Sequence, residues 1–192
     1  MIKTEDFAKV EVTSVAELRD WLTVHHAQEQ SAWLVTWMKH AGDKYVSRWD
    51  VLDELLCFGW IDGIRRKLDD DRTMQLISPR KVQHWSKSYK DRVAALTEAG
   101  RMHAAGLRSV ADGKANGLWH FMDDVDALIL PEDLVAALRE RPPALERFEA
   151  FSASSKRNML RLIKLAKTPA TRAKRIAQTA DLAQRGETVP LT

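Results

Sequence analysis

Trp60, Asp62, Arg80, His84, Trp85, Ser86 and Lys87 fall within 28 residues of one another and carry the side chains best suited to chemistry. A carboxylate, a guanidinium and two indoles around a hollow would bind a small polar ligand. Side chains alternate along a strand, so Trp60 and Asp62 share a face if their segment is extended. Arg80 would then leave the paired strand near the Trp60 end. The same residues also allow a purely structural arrangement, an Asp62–Arg80 ion pair between two packed tryptophans. Both readings stay open on the sequence alone.

Other reactive arrangements are weaker. There is no G-x-G-x-x-G and no G-x-S-x-G elbow. Gly113-Lys114 resembles the end of a phosphate loop, but Gly106 is too far upstream and Ala115 stands where a Ser or Thr would bind magnesium. The six histidines show no metal-ligand spacing; His25 and His26 are adjacent and so point in different directions on a helix. Cys57 lies in an apolar helical pattern without a nearby base, which describes a core thiol. Asp69-Asp70-Asp71 could offer oxygens to a divalent cation, but a hairpin turn explains three aspartates and is the favoured reading. No catalytic residue, cofactor or metal is implied.

The elements that must position the cluster follow from periodicity and caps. Ser14 to Glu17 reads as a capping box opening a helix over 15–26. Ala32 to Met38 is short, apolar and rich in aromatic and β-branched residues, which predicts a buried strand. Ser47 caps a second helix with Val51, Leu52, Leu55 and Phe58 on its inner side, and Gly59 stands at its left-handed end. Trp60 to Lys67 and Thr73 to Ser78 form a hairpin about the aspartates. A further strand is expected near Ala8 to Val12. Beyond Pro79 the pattern is helical: one helix capped by Ser86 or Ser88 and ending at Gly100, then another over 102–114. The stretch 118–130 has no period and is expected to be a loop. Pro131 suits the first position of a helix, and three more follow, the last opened by Thr168-Pro169 and stopped by Gly186. The fold class is α+β: a small, mostly antiparallel sheet with helices, then an all-helical C-terminal module. The expected division is 1–120 and 131–192, packed as one compact unit.

With 192 residues, 45% hydrophobic and 30% charged, the chain has material for a real core. No apolar run is long enough to span a bilayer. The acidic start, Met1 to Asp6, lacks the apolar stretch of a signal peptide, and a single cysteine excludes an internal disulfide, so a cytoplasmic location is expected. The net charge of +3 hides a division. Ser152 to Ala180 holds eight Lys or Arg and no acid, whereas Asp123 to Glu149 holds eight acids and three bases. These blocks are solvated faces, attract one another, or meet different partners. The basic helices contain no aromatic residue, which argues against base stacking and so against nucleic acid, although Arg157, Arg161 and Lys164 share a face that could meet phosphate.

Several blocks resemble the YdeI/OmpD-associated family of bacteriocin-protection type. They are Leu56 to Gly63, Ser78-Pro79-Arg80, Trp85-Ser86-Lys87, Ala99 to Met102 and Gly106-Leu107, then Leu130 to Leu134 and Ala166 to Ile176, which are similar to the C-terminal domain of that family. The resemblance covers the chain from about Ala32. The family usually carries Val-Asn where this chain has Ser88-Tyr89, and often Ala-Tyr where it has Phe121-Met122. The resemblance implies a bacterial cytoplasmic protein linked to stress response and antimicrobial-peptide resistance, and it brings no reaction, cofactor or active site. Three expectations result. The first is a protein that binds a peptide or protein partner, with Asp123, Asp124 and Asp126 attracting a cationic peptide. The second is a small polar-ligand binder or enzyme using Trp60, Asp62, Arg80 and Trp85. The third is nucleic-acid binding through the basic helices. The oligomeric state is left undetermined.

Overall fold

The apolar segment Ala32–Trp37 (β2) is buried along almost its whole length and takes an inner position in a four-stranded sheet of order β1-β2-β4-β3. The structure is a computed structural model and describes residues 6–188, so the expectation about the acidic start falls, up to Glu5, outside the described residues. Lys9–Val12 (β1) runs parallel to β2, and Arg72–Pro79 (β4) runs antiparallel to it. Trp60–Lys67 (β3) pairs antiparallel with β4, with a register shift between Asp62 and Arg65. The sheet is therefore mixed and mostly antiparallel within an α+β fold. Asp69 makes the hairpin turn, its carboxylate accepting from the backbone N–H groups of Asp71 and Arg72 at 3.0 and 2.7 Å. Among the described residues no group of acids, histidines or cysteines is placed to hold a metal ion.

The chain divides into two compact units, one ending at His120 and the other beginning at Phe121. In the first, helices Val15–His25 (α1) and Arg48–Cys57 (α2) pack on the sheet. Ser14 and Ser47 cap them, each side chain accepting a backbone N–H three residues on. Gly59 takes the left-handed conformation, φ 75°, that turns the chain from α2 into β3. Lys87–Glu98 (α3) and Ala104–Ala115 (α4) follow, two residues later at its start than the periodicity predicts for α4. Leu18, Leu22, Leu34, Leu55, Trp60 and Ile77 are fully buried in the centre of this unit.

Two glycines set how closely α4 approaches. A Cβ at Gly106 would lie 2.2 Å from the Cys57 carbonyl oxygen, and one at Gly113 would lie 2.4 Å from the Trp85 indole nitrogen. Arg101, just before α4, reaches back to Glu54 at 2.5 Å, while Arg19 bonds the same carboxylate at 2.8 Å. Glu54 is almost wholly buried, so these guanidinium groups supply the pairing that a buried carboxylate requires. Helix α4 is thus fastened at its entry and pressed down along a glycine face.

The second unit begins with a short helix, Asp123–Asp126 (α5), inside the stretch expected to be a loop. Glu132–Arg139 (α6), Ala144–Ala150 (α7), Ala153–Lys164 (α8) and Pro169–Arg185 (α9) complete it. Pro131 is the N-cap of α6 and not its first helical residue, because its ψ of 147° is extended. Thr168 caps α9 with Pro169 at its first position, and Gly186 ends it at φ 74°. Leu134, Leu138, Phe148, Met159, Ile163 and Ala180 form the core of this unit. Among the described residues no helix is long and apolar enough to cross a membrane.

The Gly106 contact is backbone against backbone, with no flexible side chain to yield. Gly106→Ala should lower the stability of the protein by at least about 2 kcal/mol, the scale of overpacking a tight interior. Urea unfolding would read it as a reduced midpoint at unchanged slope; an unchanged midpoint would show that the helix can move away freely.

Candidate functional site

The seven residues singled out from the sequence do not form one ring. Trp60 is completely buried, its indole N–H donating to the His26 carbonyl at 3.2 Å and its ring lying edge-on to Trp21. Asp62 shares the helix-covered face of β3 and is half-buried. It accepts from the Tyr89 hydroxyl in a short hydrogen bond and from Gln75 at 3.3 Å. No Asp62–Arg80 ion pair forms. Tyr89 occupies the carboxylate instead. Ser86 is the N-cap residue of α3 without a side-chain cap bond, its hydroxyl 3.0 Å from that of Ser88. Lys87 is exposed and paired with Asp91 at 2.8 Å. His84 contributes its carbonyl to Arg80.

Arg80 and Trp85 do meet. The guanidinium of Arg80 lies 3.7 Å from the centre of the Trp85 ring and 5.5 Å from that of Tyr89. Its Nη2 donates to the His84 carbonyl at 2.8 Å. Its Nε and Nη1 are buried without a hydrogen-bond partner. Burial pulls this guanidinium down to about 10, with Tyr89 and Asp62 acting the other way, so it stays charged at neutral pH. A buried cation held by aromatic faces and one carbonyl is costly unless further negative charge comes near it.

Both residues line a cleft of about 210 Å³ between the α2–β3 corner, the segment after β4, and α4. Gly59, Pro79, Phe58 and His26 line it. The opposite wall is α4, which presents Arg108, Ser109, Asp112 and Gly113, with Asn116 at its end. Lys81 and Gln83 come from the segment after β4. The α4 residues lie more than twenty positions beyond Arg80 and do not stand out in the sequence. The one available signal was the spacing of Gly106 and Gly113, seven residues and about two turns apart, which marks a helix face laid against something close.

Beside the cleft, two imidazoles face each other at 4.6 Å, His26 and His103, with His103 also stacked on Phe58 at 4.8 Å. His103 is the N-cap of α4, its Nδ1 accepting from the Ala105 N–H at 3.2 Å. Burial lowers its affinity for a proton, and His26, Arg108 and Arg19 lower it further. Cys57 is buried, and burial together with the nearby Glu54 carboxylate raises its thiol pKa. That describes an unreactive core thiol.

In the second unit the segments of opposite charge meet each other. Lys164 pairs with Asp124 at 2.6 Å, and Arg172 grips Asp133 through two bonds of 2.7 and 2.9 Å. The Arg172 guanidinium holds the Asp133 carboxyl below the usual range. Arg157 donates to the Asp126 carbonyl at 3.3 Å. Arg157 and Lys164, both expected to contact phosphate, are therefore engaged within their own unit.

An α+β unit with an internal polar cleft, followed by a helical unit, is the class that the fold defines. Residues 10–109 match the family model described as a domain of unknown function, DUF8412, and the chain belongs to that family. Residues 127–186 match a second model, described as bacteriocin-protection, YdeI or OmpD-associated. The resemblance read from the sequence is thus shown for the C-terminal segment, while the blocks between Leu56 and Leu107 lie within the other match. No curated protein and no solved structure gives a significant match.

The His103 geometry carries a pH dependence of defined sign. The folded state resists protonation of His103, so its contribution is complete above the ordinary imidazole range and falls away as pH drops through about 6.5. His103→Asn keeps a strong N-cap residue and removes the titration. The stability lost between pH 7.5 and 5.5, followed by urea midpoints, should be smaller in the variant than in the parent. Parallel curves would show that the cap does not respond to the proton.

Proposed function

We propose that this chain is a bacteriocin-protection-type protein that acts by binding a small polar ligand in the cleft of its N-terminal unit. The protective part of this reading rests on the match over 127–186. The binding part rests on Arg80, a half-buried guanidinium without an ion pair and with two unpartnered nitrogens, spread on Trp85 at the wall of a cleft. Interior polar groups are ordinarily satisfied, and exceptions concentrate where a ligand completes them. The volume lies below the roughly 300 Å³ at which drug-sized pockets begin, so the ligand would be small. Arg80 and Trp85 would be its anchors, and Trp60, Asp62, His84, Ser86 and Lys87 would support the wall or stand apart from it. No arrangement of nucleophile and base at the cleft supports a reaction over simple binding.

The alternative, capture of a cationic peptide by Asp123, Asp124 and Asp126, is less well supported because Asp124 already has Lys164 as a partner. Amide-resolved NMR titration separates the two. Hydroxylated and charged metabolites should move the Gly59 and Gly113 amides and the Trp85 indole resonance saturably. If those signals stay fixed, and a cationic peptide instead moves Asp123 to Asp126, the cleft reading is wrong and the peptide reading takes its place.

A further inference from the structure

Three cations reach the cleft: Arg80 in its wall and Lys81 and Arg108 at its exposed rim. None of the three forms an ion pair among the described residues. Some cations of this unit are ion-paired, as Arg19 and Arg101 are by Glu54 and Arg92 by Asp53, while others such as Arg65 and Arg66 meet a hydroxyl or an aromatic ring. One acid, Asp112, lies on the wall, one helical turn beyond Arg108. The lining also includes neutral hydrogen-bonding groups, the Ser109 hydroxyl and the Asn116 and Gln83 amides, beside the His26 imidazole and apolar side chains such as Phe58 and Leu118. Asn116 and Gln83 already accept backbone N–H groups, from Leu118 at 3.0 Å and Lys81 at 2.8 Å, which leaves their amino groups to donate. The cleft therefore offers an excess of positive charge and of side-chain donors, a single carboxylate, and an apolar part made by Phe58, Pro79, Trp85 and Leu118.

Resting on the reading that the cleft binds a ligand at all, we infer that the ligand is a small phosphorylated, hydroxyl-bearing molecule of about the size of a monosaccharide phosphate. Its anion lies toward Lys81 and Arg108, within the field of Arg80, and a hydroxyl donates to Asp112. The inference follows from the surplus of cations over acids. Two rim cations can each give charge-assisted bonds to phosphate oxygens, while an apolar or cationic ligand would leave three positive charges facing one another. A dianion fits better than a monocarboxylate because it answers more of that charge. Asp112 would repel a second anionic group at its end, so the charge must sit at one end of the molecule and the hydroxyls at the other. The Trp85 face beneath Arg80 keeps that guanidinium fixed and dehydrated, which strengthens its field at the anion.

The test is calorimetric titration with three probes, ribose 5-phosphate, inorganic phosphate and ribose, accompanied by spectra of the cleft amides. Ribose 5-phosphate should bind most tightly, inorganic phosphate more weakly, and ribose not measurably. Arg108→Ala and Lys81→Ala, both at exposed positions that should not disturb folding, should each weaken ribose 5-phosphate about ten-fold, one charge-assisted contact. Raising the salt concentration should weaken it further. If ribose binds as well as its phosphate and shifts the same amides, or if both variants bind as the parent does, the phosphate assignment fails while the cleft remains a binding site. If no probe of any charge moves those amides, the binding reading fails together with it.

Discussion

Helix α4 approaches the end of α2 more closely than any side chain would permit, and the geometry of the cleft depends on that approach. Gly106 sits on the Cys57 carbonyl, and Gly113 sits on the edge of the Trp85 indole. Between them the helix presents Arg108, Ser109 and Asp112. At the same corner the Gly59 carbonyl receives the Arg80 backbone N–H at 2.9 Å, which ties the end of β4 to the start of β3. Three segments separated by twenty or more residues are thereby brought to one place. A larger residue at 106 would force the helix outward and open the wall. The arginines on Glu54 hold the entry to α4 from the other side, so glycine contact and buried ion pairs act on the same element.

The treatment of Arg80 follows from this packing. Its neighbours provide aromatic faces and one carbonyl but no carboxylate within ion-pair distance, because the Tyr89 hydroxyl engages Asp62. A protein selected only for stability would place an acid there or replace the arginine with an apolar residue, since a buried unpaired cation costs more than either. The tryptophan offsets part of that cost, at about 1–2 kcal/mol for a desolvated cation–π contact. The remainder is consistent with a site whose charge is completed by something that comes and goes.

The fold was largely legible because local rules and tertiary structure agree. Ser14, Ser47 and Thr168 cap the helices they were read as capping; Gly59 and Gly186 end them, and Asp69 makes the hairpin turn. The short helix at Asp123 was not legible, since four residues carry no periodicity. Pro131 was misplaced by one residue because the N-cap and first helical position differ only in ψ. The site was half legible. Arg80 and Trp85 are close in sequence and both reach the cleft, but strand alternation placed Asp62 only on the face of Trp60, and hairpin pairing brought Arg80 to that end. Neither could foresee that Tyr89, one helix later, would reach back to the carboxylate. The α4 wall was hidden for a simpler reason: helical periodicity reports which face is buried and not what lies opposite it.

Charge is arranged differently in the two units. The acidic and basic blocks of the second unit stand out in the sequence, yet Lys164, Arg172 and Arg141 each meet an acid there, at 2.6, 2.7 and 2.9 Å. Exposed pairs of this kind contribute up to about 1 kcal/mol each and leave little net field to attract a partner. In the first unit the conspicuous feature is smaller: three cations and one acid around a hollow. Net block charge overstates the field of the second unit, because part of it is cancelled where the opposite blocks pair. The cations without an ion pair around the cleft, Arg80 among them, are the charge on which the proposed binding rests, in the unit whose family description carries no function.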